Sequence, residues 1–224
     1  MQSKNGGFAS FDVDNTNRYL NEIPFADHGA LLDPPTSDVS ARCVSVLTHS
    51  DHPRQQAALQ TCLEYLRKEQ ESDGSWFGRW GTNYIYGTWS VLDALGEAGI
   101  PPTQPYIQRA VAWLKEMQRT DGGWSESCCT YCDVQLDRDW ESTSFQTAWA
   151  LLGLMAAGEY ESPEVRRGVD YLIRTQRANG LWKDELYTAP GFPRVFYLKY
   201  HGYDKYFPLW ALARYRNLRR RGAA

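Results

Sequence analysis

Apolar residues recur along this chain at helical spacing, in two distinct ways. Leu59, Cys62, Leu63 and Leu66 fall at i, i+3, i+4 and i+7 with Pro53 near the start, which predicts a helix with one buried face. Ile107, Ala110, Val111, Leu114 and Met117 behind Pro105 predict a second. Val165, Val169, Leu172 and Ile173 predict a third, with Ser162 as N-cap and Pro163 at the first helical position. Between them lie segments around Tyr86–Glu97 and Ser142–Ala157 that are apolar over most of their circumference, the pattern of a buried helix. This alternation predicts two concentric layers, one-faced helices outside and all-round apolar helices inside. Helices near Asp38–His49 and Asp204–Arg220 bring the total to about seven, with no β-rich segment of note. The expected fold is an all-α toroid or part of one.

Each one-faced helix runs into the same short pattern. Gln70 to Trp76, Gln118 to Trp124 and Gln176 to Trp182 all read Gln, three residues, Gly, one residue, Trp. Such self-similarity marks a repeat architecture, in which a unit is stacked because one copy cannot bury its own apolar face. A fainter copy, Gln2 to Phe8, keeps the spacing with Phe in place of Trp and lacks a preceding helix, so the chain is expected to begin within a repeat. The pattern has a structural reading. A Gln amide both donates and accepts and can bridge helix-terminal groups of neighbouring units, Gly supplies a C-terminal stop, and Trp covers the corner.

Composition changes the picture in one respect. The 224 residues are 42% hydrophobic, enough for one sizeable core, but 14% are aromatic, with nine Trp and fourteen Tyr. That excess leaves aromatic faces available to line a cavity. A net charge of −3 gives no reason to expect a nucleic-acid partner. Residues 1–30 carry no apolar signal-like stretch and no run could span a bilayer, so the default expectation is a cytosolic chain with reduced cysteines.

The repeats resemble the QW repeats of triterpene cyclases, and other segments narrow the likeness to bacterial squalene–hopene cyclases. These are Gly74–Thr88, Phe11–Thr16, Ile23-Pro24-Phe25, Asp33-Pro34-Pro35, and Gly191-Phe192-Pro193 followed by Phe196-Tyr197-Leu198. The resemblance covers nearly the whole chain. It implies that residues 1–224 are the C-terminal part of such a cyclase, an incomplete (α/α)6 barrel. It also implies the family's reaction, hopanoid-forming cyclisation of squalene to hopene or hopanol by alkene protonation and a carbocation cascade, without cofactor or metal. Aromatic faces suit that chemistry, since each attracts a cation by about 0.5–2 kcal/mol without offering a quenching lone pair. By resemblance, Phe11, Phe25, Trp80, Tyr86, Phe192, Phe196, Tyr197, Tyr200 and Tyr203 would contact substrate. Ordinary core packing or, for Tyr197 and Tyr203, a surface role is the alternative.

The family draws its proton from an Asp-x-Asp-Asp motif, which these 224 residues do not contain. Asp12-Val13-Asp14-Asn15 matches a different family segment and reads as turn chemistry. Asp38, Arg42 and Asp33 fall where the family supports its acid, with Arg42 supplying a fixed positive charge. The plain alternative is a helix-surface Asp38–Arg42 pair at i, i+4, with Asp33 capping a turn. His28 falls where the family often has an aromatic residue, and Ser142-Thr143-Ser144 departs from its usual start for that inner helix. Cys128, Cys129 and Cys132 have half of a zinc-site spacing, but no second half follows.

The chain alone is therefore expected to be inactive. Its expected partners are squalene or a related polyprenoid, and either the missing N-terminal part of the cyclase or a second copy. The family implies peripheral attachment to the cytoplasmic face of a membrane. Arg214, Arg216, Arg219, Arg220 and Arg221 either complement a helix C-terminus or meet anionic lipid. Other readings are a non-catalytic complementing half-barrel and a different (α/α)6 enzyme, such as a glycosidase using Asp12 and Asp14. An open half-toroid would leave Trp149 and Leu152 exposed.

Overall fold

The structure is a computed structural model and describes residues 1–11, 13, 14, 17, 19, 20, 23, 32–132 and 141–222. Among these lie seven α-helices: α1 (Ser37–Leu47), α2 (Pro53–Lys68), α3 (Tyr84–Glu97), α4 (Pro105–Glu116), α5 (Ser144–Ala156), α6 (Pro163–Thr175) and α7 (Tyr203–Gly222). A 3-10 turn occupies Cys128–Tyr131, and a short antiparallel hairpin pairs β1 (Ala189–Phe192) with β2 (Phe196–Leu198). The odd-numbered helices form an inner row, α1 against α3, α3 against α5 and α5 against α7. Outside them, α2 packs on α1, α4 on α3 and α5, and α6 on α5. The two predicted layers are thus present; within the inner row α3 and α5 carry the all-round apolar pattern, whereas α7 buries only Asp204, Phe207, Pro208 and Ala211. All but one of the residues of α5 are buried, whereas α6 buries only Val165, Gly168, Val169, Tyr171 and Leu172.

The repeat turns join the layers in one way each time. The Gly of each copy has a left-handed backbone, with φ of +93° at Gly6, +100° at Gly74, +87° at Gly122 and +78° at Gly180, a conformation that L side chains resist. The Gln amide reaches back across its own turn to the carbonyl of that glycine, at 2.7 Å for Gln2 and 2.8 Å for Gln70, Gln118 and Gln176. Each Trp is buried and spends its indole N–H on the carbonyl ten residues earlier, Trp76 on Leu66, Trp124 on Leu114 and Trp182 on Leu172. These tryptophans cap the ends of the outer helices, as their spacing predicts.

Two features differ from expectation. Trp149 and Leu152 are fully buried, because α7 folds back over α5 and places Tyr203 and Phe207 against Trp149 at ring distances of 5.8 and 5.5 Å. Arg214 pins this arrangement, its Nη1 donating to Asp93 of α3 at 2.5 Å. Apolar surface moves instead to the far side of α7, where Leu209 is 63% exposed. The hairpin is the second difference, an extended excursion that takes Phe192, Phe196 and Tyr197 out of the helical frame. Of the basic tail, Arg214 and Arg219 are committed to Asp93 and Glu161. Among the described residues no helix is long and apolar enough to cross a membrane.

The unusual start of α5 is well capped. Thr143 Oγ1 accepts from the backbone of Gln146, and the Asp184 carboxylate accepts from the N–H groups of Ser144 and Phe145. Glu126 does the same for α3, taking the N–H groups of Asn83 at 2.8 Å and Ile85 at 2.6 Å.

Candidate functional site

The first turn of α1 and the loop before α3 meet at one carboxyl group. Asp38 is buried; its Oδ1 accepts from the Thr36 hydroxyl at 2.6 Å and its Oδ2 from the backbone N–H of Trp80 at 2.8 Å. Burial pushes its pKa above the ordinary carboxylate value, and these hydrogen bonds pull only partly in the other direction. Trp80 is held from below by a close backbone approach. A Cβ on Gly81 would lie 2.5 Å from the Tyr86 ring, so only glycine lets this loop rest on Tyr86.

Arg79, the neighbour of Trp80, is the second organiser. Its guanidinium lies 4.2 Å from the Trp80 ring centroid and 5.8 Å from that of Phe192, donates to Asp33 Oδ1 at 3.2 Å, and reaches the Gly191 carbonyl at 3.2 Å. Both members of the Arg79–Asp33 pair are buried. One cation thereby ties the Asp33 segment, the Trp80 loop and the hairpin together. Asp33 Oδ2 is buried without a hydrogen-bond partner among the described residues.

Around this framework lies a concavity of about 390 Å³ bounded by Ser10, Asp38, Val39, Arg42, Trp80 and Tyr86. Asp38 and Arg42 sit one turn apart on α1, but no ion pair between them is found among the described residues. The Arg42 guanidinium instead lies 4.7 Å from the Trp89 ring centroid and 6.0 Å from that of Tyr86, and donates to Ser90 Oγ at 3.3 Å. Behind Tyr86 the aromatic surface continues: Tyr86 meets Trp149 at 5.0 Å, and Trp89 stacks on Trp149 at 6.0 Å with nearly parallel planes. The indole N–H groups of Trp80, Trp89 and Trp149 are buried without an acceptor among the described residues, unlike those of the repeat tryptophans. The site therefore offers aromatic faces, a protonatable carboxyl, a fixed cation and few lone pairs aimed inward.

The remaining expected residues spread out from this centre. Phe11 is 50% exposed and meets Trp80 edge-on at 6.4 Å. Tyr203 joins the inner cluster through Trp149, and Tyr200 stacks on Tyr203 at 5.1 Å with its outer face in solvent. Phe192 and Phe196 pack on each other at 5.5 Å on the hairpin. Tyr197 stacks on Tyr131 and donates to the Cys128 carbonyl at 3.3 Å, which fastens the hairpin to the 3-10 turn. Phe25, Asp12 and His28 lie outside the described residues.

Sequence reasoning did not single out Trp89, Phe207 or Tyr131. Trp89 was signalled only by the all-round apolar character of its helix. Tyr131 sits within the cysteine cluster, yet its hydroxyl donates to the carbonyls of Gly78 and Gly81 at 2.6 and 2.8 Å and so shapes the Trp80 loop. A larger concavity of about 450 Å³ lies by the Gln176–Trp182 turn; within it Asp184 holds the start of α5, and the Tyr171 hydroxyl donates to the Ser142 carbonyl at 2.6 Å.

Residues 1–217 match the family model described as the squalene-hopene cyclase C-terminal domain. The chain is 59% identical over 221 residues to a squalene–hopene cyclase of Zymomonas mobilis, covering 98% of this chain and 34% of that protein. It is 47% identical over 216 residues to the squalene–hopene cyclase of Alicyclobacillus acidocaldarius, covering 96% of this chain and 34% of that protein. The chain thus spans about a third of the length of the curated relatives it matches. Among solved structures, a variant of the type II terpene cyclase MstE from Scytonema, in complex with geranylgeranyl dihydroxybenzoate (substrate), superposes with a TM-score of 0.58 at 26% identity. That match covers 86% of this chain and 50% of that one.

Proposed function

The chain belongs to the squalene–hopene cyclase family, and from that premise we propose that residues 1–224 form the C-terminal share of a cyclase, supplying one wall of a cavity in which squalene or a related polyprenoid is folded and cyclised. The observation that carries this reading is the convergence of Asp38, Arg42, Trp80 and Tyr86 on one concavity backed by Trp89 and Trp149. Aromatic faces there would attract the travelling positive charge, each by about 0.5–2 kcal/mol, while the scarcity of inward lone pairs would protect it from early capture.

Within this reading Asp38, Asp33 and Arg42 are positioning residues. Asp38 already accepts from Thr36 and Trp80, so it orients the Trp80 face. Asp33 fixes Arg79, which orients Trp80 and Phe192 together. Phe11, Phe25, Phe192, Phe196, Tyr200 and Tyr203 would extend the wall, and Tyr197 would brace the hairpin. The proton would come from an Asp-x-Asp-Asp segment on the polypeptide that completes the enzyme, and substrate would be taken from the cytoplasmic face of a membrane to which the complete enzyme binds peripherally.

The test is to incubate the purified chain with squalene, alone and with the remaining two-thirds of the Zymomonas mobilis relative, and to look for hopene or hopanol by gas chromatography. Product only in the mixture is the expected result. Product from the chain alone would show that it carries its own acid, and no product from a mixture that does associate would sink the cyclase reading.

A further inference from the structure

The 3-10 turn at Cys128–Tyr131 sorts its side chains by a period of three. Residues three apart eclipse in such a turn, which gives it three faces. One face is spent on the loop that carries Trp80. Cys128 Sγ lies 3.4 Å from the Thr82 hydroxyl, and three residues on Tyr131 donates to the carbonyls of Gly78 and Gly81. A second face is also turned inward: Thr130 is buried, donates to the Ser127 carbonyl at 2.8 Å and accepts from Asn83 Nδ2 at 3.0 Å. The third face carries Cys129 and, three residues on, Cys132. Both are exposed, and both hold free thiols.

The backbone keeps these two thiols together. The Cys129 N–H donates to Ser127 Oγ at 3.0 Å, and the Cys132 N–H donates to the Cys129 carbonyl at 2.8 Å, closing the turn between the two cysteines themselves. A rise of about 2.0 Å per residue puts eclipsed positions about 6 Å apart at Cα, inside the roughly 4.4–6.8 Å that a disulfide spans. The hairpin braces the same turn, with Arg194 Nε donating to the Tyr131 carbonyl at 2.8 Å and the Tyr197 hydroxyl to that of Cys128 at 3.3 Å. Among the described residues no three His, Cys, Asp or Glu side chains converge as for a metal, so the chemistry two thiols can complete here is closure onto each other. The remaining cysteines are less accessible. Cys43 is half-buried and Cys62 buried, and burial pushes the Cys62 thiol up to about 12.

We infer that Cys129 and Cys132 are a dithiol–disulfide site, which closes by exchange with a low-molecular-weight disulfide such as oxidised glutathione and reopens with a thiol. One cysteine thiolate attacks the disulfide bond of the reagent, forming a mixed disulfide and releasing one thiol. The other then attacks the protein sulfur of that bond and releases the second. The chain gives up two thiol protons and two electrons, and both pass to the reagent, which leaves as two thiols. Closure would stiffen the turn from which Tyr131 holds Gly78 and Gly81, so the redox state of an exposed pair reaches the loop that places Trp80. Such a site operates in this chain whether or not a cyclase is completed around it.

The full 224-residue chain is incubated with oxidised glutathione, and free thiols are counted by alkylation and mass spectrometry. The five thiols are expected to lose two and fall to three, with a Cys129–Cys132 disulfide in the peptide map and full recovery under dithiothreitol. Cys129→Ser and Cys132→Ser should each abolish the disulfide and leave glutathione on the remaining cysteine, whereas Cys128→Ser should still form it. Amide hydrogen exchange over residues 78–83 should slow on oxidation of the parent chain but not of Cys129→Ser. Five thiols unchanged, glutathione persisting on both cysteines, or a disulfide that uses Cys128, Cys43 or Cys62 in place of either would overturn the site. A Cys129–Cys132 disulfide that leaves exchange over 78–83 as it was would overturn its link to the Trp80 loop.

Discussion

The backbone N–H of Trp80 donates to Asp38 Oδ2 at 2.8 Å, joining the first turn of one inner helix to the loop that precedes the next. The bond makes a buried carboxyl responsible for the placement of an aromatic face, and it gives the fold a pH signature. Burial raises the Asp38 pKa above its ordinary value. A raised carboxyl is protonated in the folded state over a range where the unfolded chain has already ionised. Its contribution to stability is therefore complete below the ordinary value and is lost as pH rises through the folded one. Asp38→Asn keeps an acceptor for Trp80 and cannot ionise. Thermal melting followed from about pH 3 to about pH 8 should show the variant losing less stability than the parent over that climb. Parallel curves would show that Asp38 ionises in the folded chain at no cost.

Arg79 and Asp33 form a pair whose value lies in its other contacts. Removing one member leaves a buried charge without compensation, which typically costs about 3–5 kcal/mol. Arg79→Met should destabilise by that order in chemical denaturation, and Asp33→Asn added to it should recover part of the loss. Near-ultraviolet circular dichroism should change in Arg79→Met as well, since Trp80 and Phe192 both lose the guanidinium beside them. A double variant less stable than the single one would show that Asp33 is held by other partners.

Trp149 sits at the crossing of five aromatic contacts, with Tyr86, Trp89, Phe145, Tyr203 and Phe207. Truncation to alanine should cost about 3–5 kcal/mol, as for a buried large aromatic. It should also loosen α7, which limited proteolysis would detect as faster cleavage after Tyr203. Unchanged cleavage would mean that Arg214 and its ion pair with Asp93 hold α7 without the aromatic seam.

Much of this architecture was legible in the apolar spacing. The one-faced helices became the outer row and the all-round apolar ones the centre of the inner row, and the Gln and Trp roles in the turns followed from what an amide and an indole can bond. Three things were not legible. The burial of Trp149 depends on α7 folding back, a long-range contact whose polar pin, Asp93–Arg214, spans 121 positions and carries no local sign. The hairpin at 189–198 is aromatic-rich in a helical context, where a few extended residues produce little periodicity. The centre of the candidate site could be named from family likeness for Asp38, Arg42, Trp80 and Tyr86. That Arg42 would stack on Trp89 and leave Asp38 to Trp80 is a choice of geometry that i, i+4 spacing does not reveal.

The repeat turns allow an internal comparison of one substitution at two sites. Gln118→Ala removes the bond to the Gly122 carbonyl, the bridge to Glu164 and the acceptor of Arg167. Gln176→Ala removes only the bond to the Gly180 carbonyl, and from an exposed position. Loss of a partly buried bridging amide should cost about 1–3 kcal/mol, whereas an exposed substitution usually stays within about 0.5 kcal/mol. Denaturant midpoints of the two variants of the isolated chain should separate accordingly, with Gln118→Ala the weaker. Equal losses would mean that the bond within each turn, and not the bridge between outer helices, is what these glutamines contribute to stability.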